Sequence, residues 1–114
     1  MPFEISPIGD VQVIRLIGRL DSANSPELER ALREQLDAGC ARLLLDLSAL
    51  DYISSAGLRV VLLAGKALRT RQPVGRLALA GVRGMVREVF EMSGFLALFP
   101  VSDTPEAALL QLQA

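Results

Sequence analysis

Histidine is absent from this 114-residue chain, and so is tryptophan. Without an imidazole there is no His-dependent catalytic triad and no His-ligated metal. The one cysteine, Cys40, has no internal disulfide partner and cannot build a thiolate zinc site, which suits a reducing compartment. Most routes to an activated nucleophile are therefore closed, and no metal or cofactor is expected. There is also no block of basic charge. The twelve basic residues, eleven Arg and Lys66, are scattered, net charge is −1, and nothing interleaves them with aromatics, which argues against nucleic acid as a partner. The N-terminus lacks the basic region and apolar run of a signal peptide. Apolar stretches are broken by Arg, Gly or Asp well short of a membrane span, so no membrane insertion is expected. The chain reads as soluble and cytoplasmic.

What remains is a composition that can build one core. About half of the chain (51%) is apolar, enough to bury a single domain spanning residues 1–114 without staples. Residues 2–8 and 11–18 read as strands joined at Gly9-Asp10, a hairpin signal. Ser25 is placed to cap a first helix, with Pro26 at its first position, acids in its first turn and Gly39 to close it. Residues 41–47, ending Leu43-Leu44-Leu45-Asp46-Leu47, form a short continuous apolar run, as expected of a strand buried on both faces. A second helix is expected from Ser55 to Arg71, stopped by Pro73, and a strand over 75–80. A third helix is expected over Val82–Ser93, a short strand over Phe95–Val101, and a last helix opened by Thr104-Pro105-Glu106. The order ββαβαβαβα implies an α/β domain with a mixed sheet, parallel in its later part, and helices packed on it. In such sheets function gathers where strand gives way to helix at the carboxyl ends. That directs attention to the turn at 46–57.

There the chain reads DLSALDYISSAGLRVVLLAGKAL, from Asp46 to Leu68. A loop carrying Asp51 and Tyr52 leads to a helix start at Ser54-Ser55-Ala56-Gly57. Free N–H groups and the helix dipole favour an anion at such a place, and small neighbours leave a hydroxyl accessible. Taken alone, Ser55 is most simply a helix cap worth about 1 kcal/mol. Gly57 costs the first turn up to about 1 kcal/mol against Ala, which close approach of another group would explain. Along the helix, Leu58, Val61, Leu62, Gly65 and Leu68 form the face expected to pack on the sheet. Val60, Leu63 and Ala67 fall roughly opposite, an apolar face that either docks a partner or lies under a neighbouring helix. Asp21, Asp46 and Asp51 are expected to surround the site with negative charge.

The run around Ser55 resembles the signature of STAS domains, specifically stand-alone anti-sigma factor antagonists. GRLDSANSPEL and VREVFEMSGFLALFPVSDTPEAAL resemble the family's strand-to-first-helix and C-terminal segments, so the likeness covers almost the whole chain. It implies partner switching. A serine-kinase anti-sigma factor binds the unmodified antagonist, phosphorylates it with ATP and releases it, and a PP2C-type phosphatase resets it. The acceptor maps to Ser55. Asp21 matches an Asp near the acceptor and the kinase interface. The family often has Asp just before the acceptor; here Ser54 stands there and is the alternative acceptor. The partner surface so implied comprises Asp21, Ser54, Ser55, Ala56, Gly57, Leu58, Val60 and Leu63.

Two other readings compete. One is a non-switching STAS scaffold subunit of a lipid-transport or sensory complex, with Ser55 only a cap. The other is a serine-nucleophile enzyme, but Gly-x-Ser-x-Gly is missing, no His base is present, and Lys66 lies in no Ser-x-x-Lys spacing. Gly81-Val82-Arg83-Gly84 is too short for a phosphate loop and reads as the start of the third helix.

Overall fold

The computed structural model describes residues 3–72 and 74–113. Strand β1 (Phe3–Ile8) turns at Gly9-Asp10 into β2 (Val11–Leu20), followed by α1 (Ser25–Asp37), β3 (Arg42–Ile53), α2 (Ser55–Thr70), β4 (Arg76–Ala80) and α3 (Gly84–Ser93). A 3-10 turn at Phe95–Ala97, β5 (Val101–Ser102) and α4 (Pro105–Gln113) complete it. The strands lie in the order β1-β2-β3-β4-β5, β1 antiparallel to β2 and the others parallel. This is the α/β arrangement expected from the element order.

The sheet is covered on both faces. Ile14, Leu16, Leu45, Leu47 and Leu79 share one core with Leu28 and Leu32 of α1, Val61 and Leu68 of α2, and Val86 and Phe90 of α3. Val11, Leu44, Ala78 and Ala80 pack on the other side with Ala108 and Leu112 of α4. Burial on both faces is why the β3 sequence reads as an unbroken apolar run.

Helix ends follow their local chemistry. At the end of α1 the Gly39 and Cys40 N–H groups donate to the Leu36 and Gln35 carbonyls, with Gly39 at φ +99°. That is a Schellman closure, so Gly39 does close the helix. Thr104 Oγ1 accepts from the Ala107 N–H at 3.2 Å and caps α4.

Several expectations need correction. The N-cap of α1 is Asn24; Ser25 is the first helical residue, and its hydroxyl donates to the Asp21 carbonyl at 2.5 Å. β2 runs on to Leu20 and β3 to Ile53, so Asp51 and Tyr52 lie in a strand, not a loop. Two register shifts between β2 and β3 reset the alternation, which lets Leu50 and Ile53 face the core and pays for the longer pairing. α3 begins at Gly84 rather than Val82, because Gly81 and Gly84 both hold positive φ (+69° and +58°) around an extended Arg83. The expected strand over 95–101 is a 3-10 turn followed by a two-residue strand at Val101–Ser102. Gly94 at φ +79° turns the chain there, and the Phe95 ring meets Phe90 edge-on at 6.1 Å. α2 ends at Thr70, with Arg71 already extended. The stop assigned to Pro73, and the first residue of the strand expected from Pro2, lie outside the described residues.

Candidate functional site

The carboxyl ends of β2 and β3 meet at the start of α2. The Ser54 N–H donates to the Leu20 carbonyl at 2.8 Å, so the last residue of β2 holds the chain where it turns into the helix. Ser54, in extended conformation, is the N-cap, and its hydroxyl accepts from the Gly57 N–H at 3.2 Å. Its carbonyl takes the Leu58 N–H at 2.9 Å. The capping role assigned to Ser55 therefore falls to Ser54. Ser55 is the first helical residue and is exposed, and its hydroxyl makes no hydrogen bond among the described residues. Gly57 and Leu58 have spent their N–H groups on Ser54, which leaves those of Ser55 and Ala56 at the open end of the helix.

Gly57 is explained by packing. A Cβ there would lie 2.7 Å from Leu20 Cγ, 2.8 Å from its Cδ2 and 3.1 Å from Ile53 Cγ1. The first turn of α2 is pressed onto the ends of both strands, and only a glycine lets it sit so close.

Asp21 follows Leu20 directly and organises the neighbouring loop. Its Oδ1 accepts from the N–H groups of Ala23 (3.0 Å) and Asn24 (3.2 Å), and its Oδ2 is 3.8 Å from Arg19 Nε. Asn24 closes the loop by accepting from the Asp21 N–H at 2.8 Å and donating to the Arg19 carbonyl at 2.8 Å. The Arg19 guanidinium lies 4.6 Å from the centre of the Tyr52 ring. Sequence reasoning missed Arg19 and Asn24 as parts of this end of the molecule, and gave Tyr52, which it placed here, no role. The signal for Asn24 was its strong preference for caps and Asx turns, one residue before the serine chosen instead.

The three aspartates do not ring Ser55. Asp46 lies in register with Ala80, on the α4 side of the sheet, and is occupied by the N–H and hydroxyl of Ser48 at 3.0 and 2.6 Å. Asp51 is paired with Arg83 at 3.3 Å. Asp21, next to the Leu20 whose carbonyl holds the helix start, has its charge already shared among two N–H groups and Arg19.

Along α2, Val61, Gly65 and Leu68 are buried as expected, and Leu58 and Leu62 are half-buried. The outer face divides. Val60 is only 5% exposed, which corrects its placement opposite the core, because α1 packs against it. Leu63 is 40% exposed and Ala67 is exposed. With Leu32, Leu36 and Ala64 they line a groove of about 430 Å³ between α1 and α2, edged by Glu29, Arg33 and Asp37.

Chemically the site offers an accessible hydroxyl beside free N–H groups. Lys66 is eleven residues further along α2, roughly 16 Å at 1.5 Å per residue, and out of reach of Ser55. Among the described residues no His/Cys/Asp/Glu group could hold a metal, and no helix is long and apolar enough to cross a membrane.

The family model of the STAS domain matches residues 3–108. The chain is 50% identical over 108 residues to BtrV of Bordetella bronchiseptica, named as a candidate anti-sigma factor antagonist, covering 95% of this chain and 91% of that one. It is 30% identical over 104 residues to the anti-sigma F factor antagonist of Paenibacillus polymyxa, covering 90% of this chain and 87% of the relative. The phosphorylated form of the Bacillus cell fate determinant SpoIIAA has the same fold, with a TM-score of 0.78 at 24% identity, over 96% of this chain and 97% of that one.

Proposed function

The chain belongs to the STAS domain family, and from that premise we propose that it is an anti-sigma factor antagonist switched by phosphorylation of Ser55. Its partner is a serine-kinase anti-sigma factor, which it holds when unmodified and leaves once that kinase has transferred phosphate from ATP. A PP2C-type phosphatase restores the binding form. On this reading it is a regulatory protein of the cytoplasm and catalyses nothing itself.

One observation carries the choice of residue: of two adjacent serines, Ser54 spends its hydroxyl on the helix cap and Ser55 leaves its own exposed and unbonded. Phosphorylating Ser54 would cost the cap; phosphorylating Ser55 costs no bond. A phosphate on Ser55 adds roughly −1.5 to −2 charge at the positive end of α2, where the open N–H groups of Ser55 and Ala56 favour it. The helix is therefore kept, and the change acts on whatever is docked there. A desolvated dianion in a packed interface is costly unless the partner supplies cations. The docking face on this reading includes Asp21, Ser54, Ala56, Gly57 and Leu58 and continues along α2 to Leu63 and the rim of Val60.

The test is binding and mass spectrometry with the cognate kinase. Wild type is expected to gain one phosphate on Ser55 and dissociate. Ser55→Ala is expected to bind and stay bound in ATP, and Ser55→Asp to bind weakly. A kinase that binds the wild type yet leaves Ser55 unmodified refutes the switch and favours a non-switching scaffold. Phosphate found on Ser54 reassigns the acceptor.

A further inference from the structure

At the end of the sheet remote from Ser55, the first residues of the parallel strands stand side by side. Val11 is in register with Arg42, and Arg42 with Arg76. Neighbouring strands are about 4.8 Å apart, and paired residues project from the same face. Two guanidinium side chains thus start next to each other, an arrangement that is unfavourable in a sheet without counter-charge. Asp10, in the hairpin turn, supplies one carboxylate, 2.6 Å from Arg42 Nη1. Arg76 is exposed and has no ion pair among the described residues. Arg71 donates to the Cys40 carbonyl, a neutral partner, so its charge is not cancelled there either. Two cations, Arg42 and Arg76, thus face one anion, Asp10, around a cleft of about 540 Å³ whose walls also include Gln12 and Gln35, and Arg71 reaches the backbone of Cys40 in its wall.

We propose that this cleft binds a small, multiply charged phosphate anion of the pyrophosphate class, gripped between Arg42 and Arg76. Planar guanidiniums take two oxygens of such a group at once, and two of them on adjacent strands match two linked oxyanions. The cleft size falls in the small-molecule range. No aromatic residue lines it, so a nucleobase would find nothing to stack on. Gln12 and Gln35 add neutral donors. Asp10 competes with the ligand for Arg42, which gives the site a sign that a general basic surface lacks. The full length of β3 separates the cleft from Ser55, so its occupation is independent of the phosphorylation reading.

The experiment is titration of the full chain with pyrophosphate at low ionic strength, followed by amide NMR, with succinate as a parallel arm. Saturable shifts are expected at Gly39–Arg42 and Arg76 and not at Ser54–Leu58. Arg76→Gln is expected to weaken binding about tenfold or more, the scale of a lost charge-assisted hydrogen bond. Asp10→Asn is expected to tighten it several-fold by releasing Arg42. The proposal is overturned if millimolar pyrophosphate gives no saturable shifts, if Arg76→Gln binds like wild type, or if Asp10→Asn binds more weakly. Succinate binding as tightly as pyrophosphate overturns the phosphate assignment.

Discussion

Replacing Gly57 by Ala puts two opposing effects on one methyl group. In an exposed helix the change would stabilise by about 1 kcal/mol, since Gly is the poorer helix former. Here the new Cβ would sit 2.7 and 2.8 Å from Leu20 Cγ and Cδ2 and 3.1 Å from Ile53 Cγ1. Leu20 is 1% exposed and Ile53 3%, so neither side chain can swing aside into solvent. The Leu20 carbonyl is also tied to the Ser54 N–H at 2.8 Å, which resists withdrawal of the helix start. Overpacking of this kind typically costs about 1–3 kcal/mol, so the net expectation is a loss of about 1 kcal/mol. For a domain of this size that lowers Tm by roughly 3–5 °C. The chain has no Trp, so urea unfolding followed by far-ultraviolet circular dichroism is the suitable assay. Leu20→Ala alone should destabilise strongly, by about 2–5 kcal/mol. In that background the two shortest contacts are gone and only Ile53 Cγ1 at 3.1 Å remains, so the Gly57→Ala penalty should largely vanish, a coupling of about 1 kcal/mol. A Gly57→Ala protein at least as stable as wild type would refute the reasoning. So would a penalty that persists when Leu20 is Ala.

Other expectations follow from the same end of the molecule. Ser54→Ala should cost about 1 kcal/mol in urea unfolding, the value of a lost cap, whereas Ser55→Ala should change stability by less than about 0.5 kcal/mol. The reverse order would mean that the capping assignment is wrong. Asn24→Ala removes the bonds to the Arg19 carbonyl and the Asp21 N–H and should cost about 1–2 kcal/mol, with amide exchange rising first in residues 19–25. Burial is the largest influence on the Cys40 thiol and pushes its pKa up, so at neutral pH it should alkylate more slowly than a free thiol. A rate at neutral pH equal to that of a small free thiol would contradict the burial.

The fold was legible where the pattern was local or the burial complete. The hairpin at Gly9-Asp10, the run Leu43-Leu44-Leu45 and the Thr104-Pro105 cap each announce their element through one short-range rule. What failed depended on contacts between segments distant in sequence. Nothing near Asp51 and Tyr52 says strand, because what holds them is the pairing of Tyr52 and Ile53 with Arg19 and Leu20 across register shifts. For Val60 the choice between a docking face and a covered one stayed open, because periodicity places residues around a helix without saying which sides have neighbours, and α1 lies over that side. The segment after Gly94 has apolar residues suited to a strand, yet Phe99 packs over Gly65 and Phe95 meets Phe90, so the chain folds into a turn. Of the candidate site, Asp21 and Ser55 follow the carboxyl ends of β2 and β3 as expected, but which serine caps α2 required coordinates. Two adjacent serines have the same preference for a cap, and only backbone geometry decides between them.

That decision bears on how such a switch can work. A side chain that both caps a helix and accepts phosphate would couple modification to the helix end, because the hydroxyl oxygen that accepts the capping N–H becomes a bridging ester oxygen, a poor acceptor. On the proposed reading the two tasks fall on neighbours. Ser54 is bound on three sides, by the Leu20 carbonyl, the Gly57 N–H and the Leu58 N–H, so it fixes where α2 begins. Gly57 fixes how close α2 comes to the sheet, and Asp21 spends its carboxylate on the adjoining loop. Ser55 is then held by a rigid frame while its own hydroxyl contributes nothing to that frame. Modification at such a position changes surface charge at nearly constant structure. The free-energy difference between the two forms would therefore appear in the complex with a partner and leave the stability of the isolated domain almost unchanged. Unfolding curves of the two forms should nearly coincide, apart from a small gain from the phosphate at the helix N-terminus of about 0.3–1 kcal/mol at low salt. A loss of several kcal/mol on phosphorylation would mean that the switch acts by melting α2, and that the separation of roles between Ser54 and Ser55 does not hold.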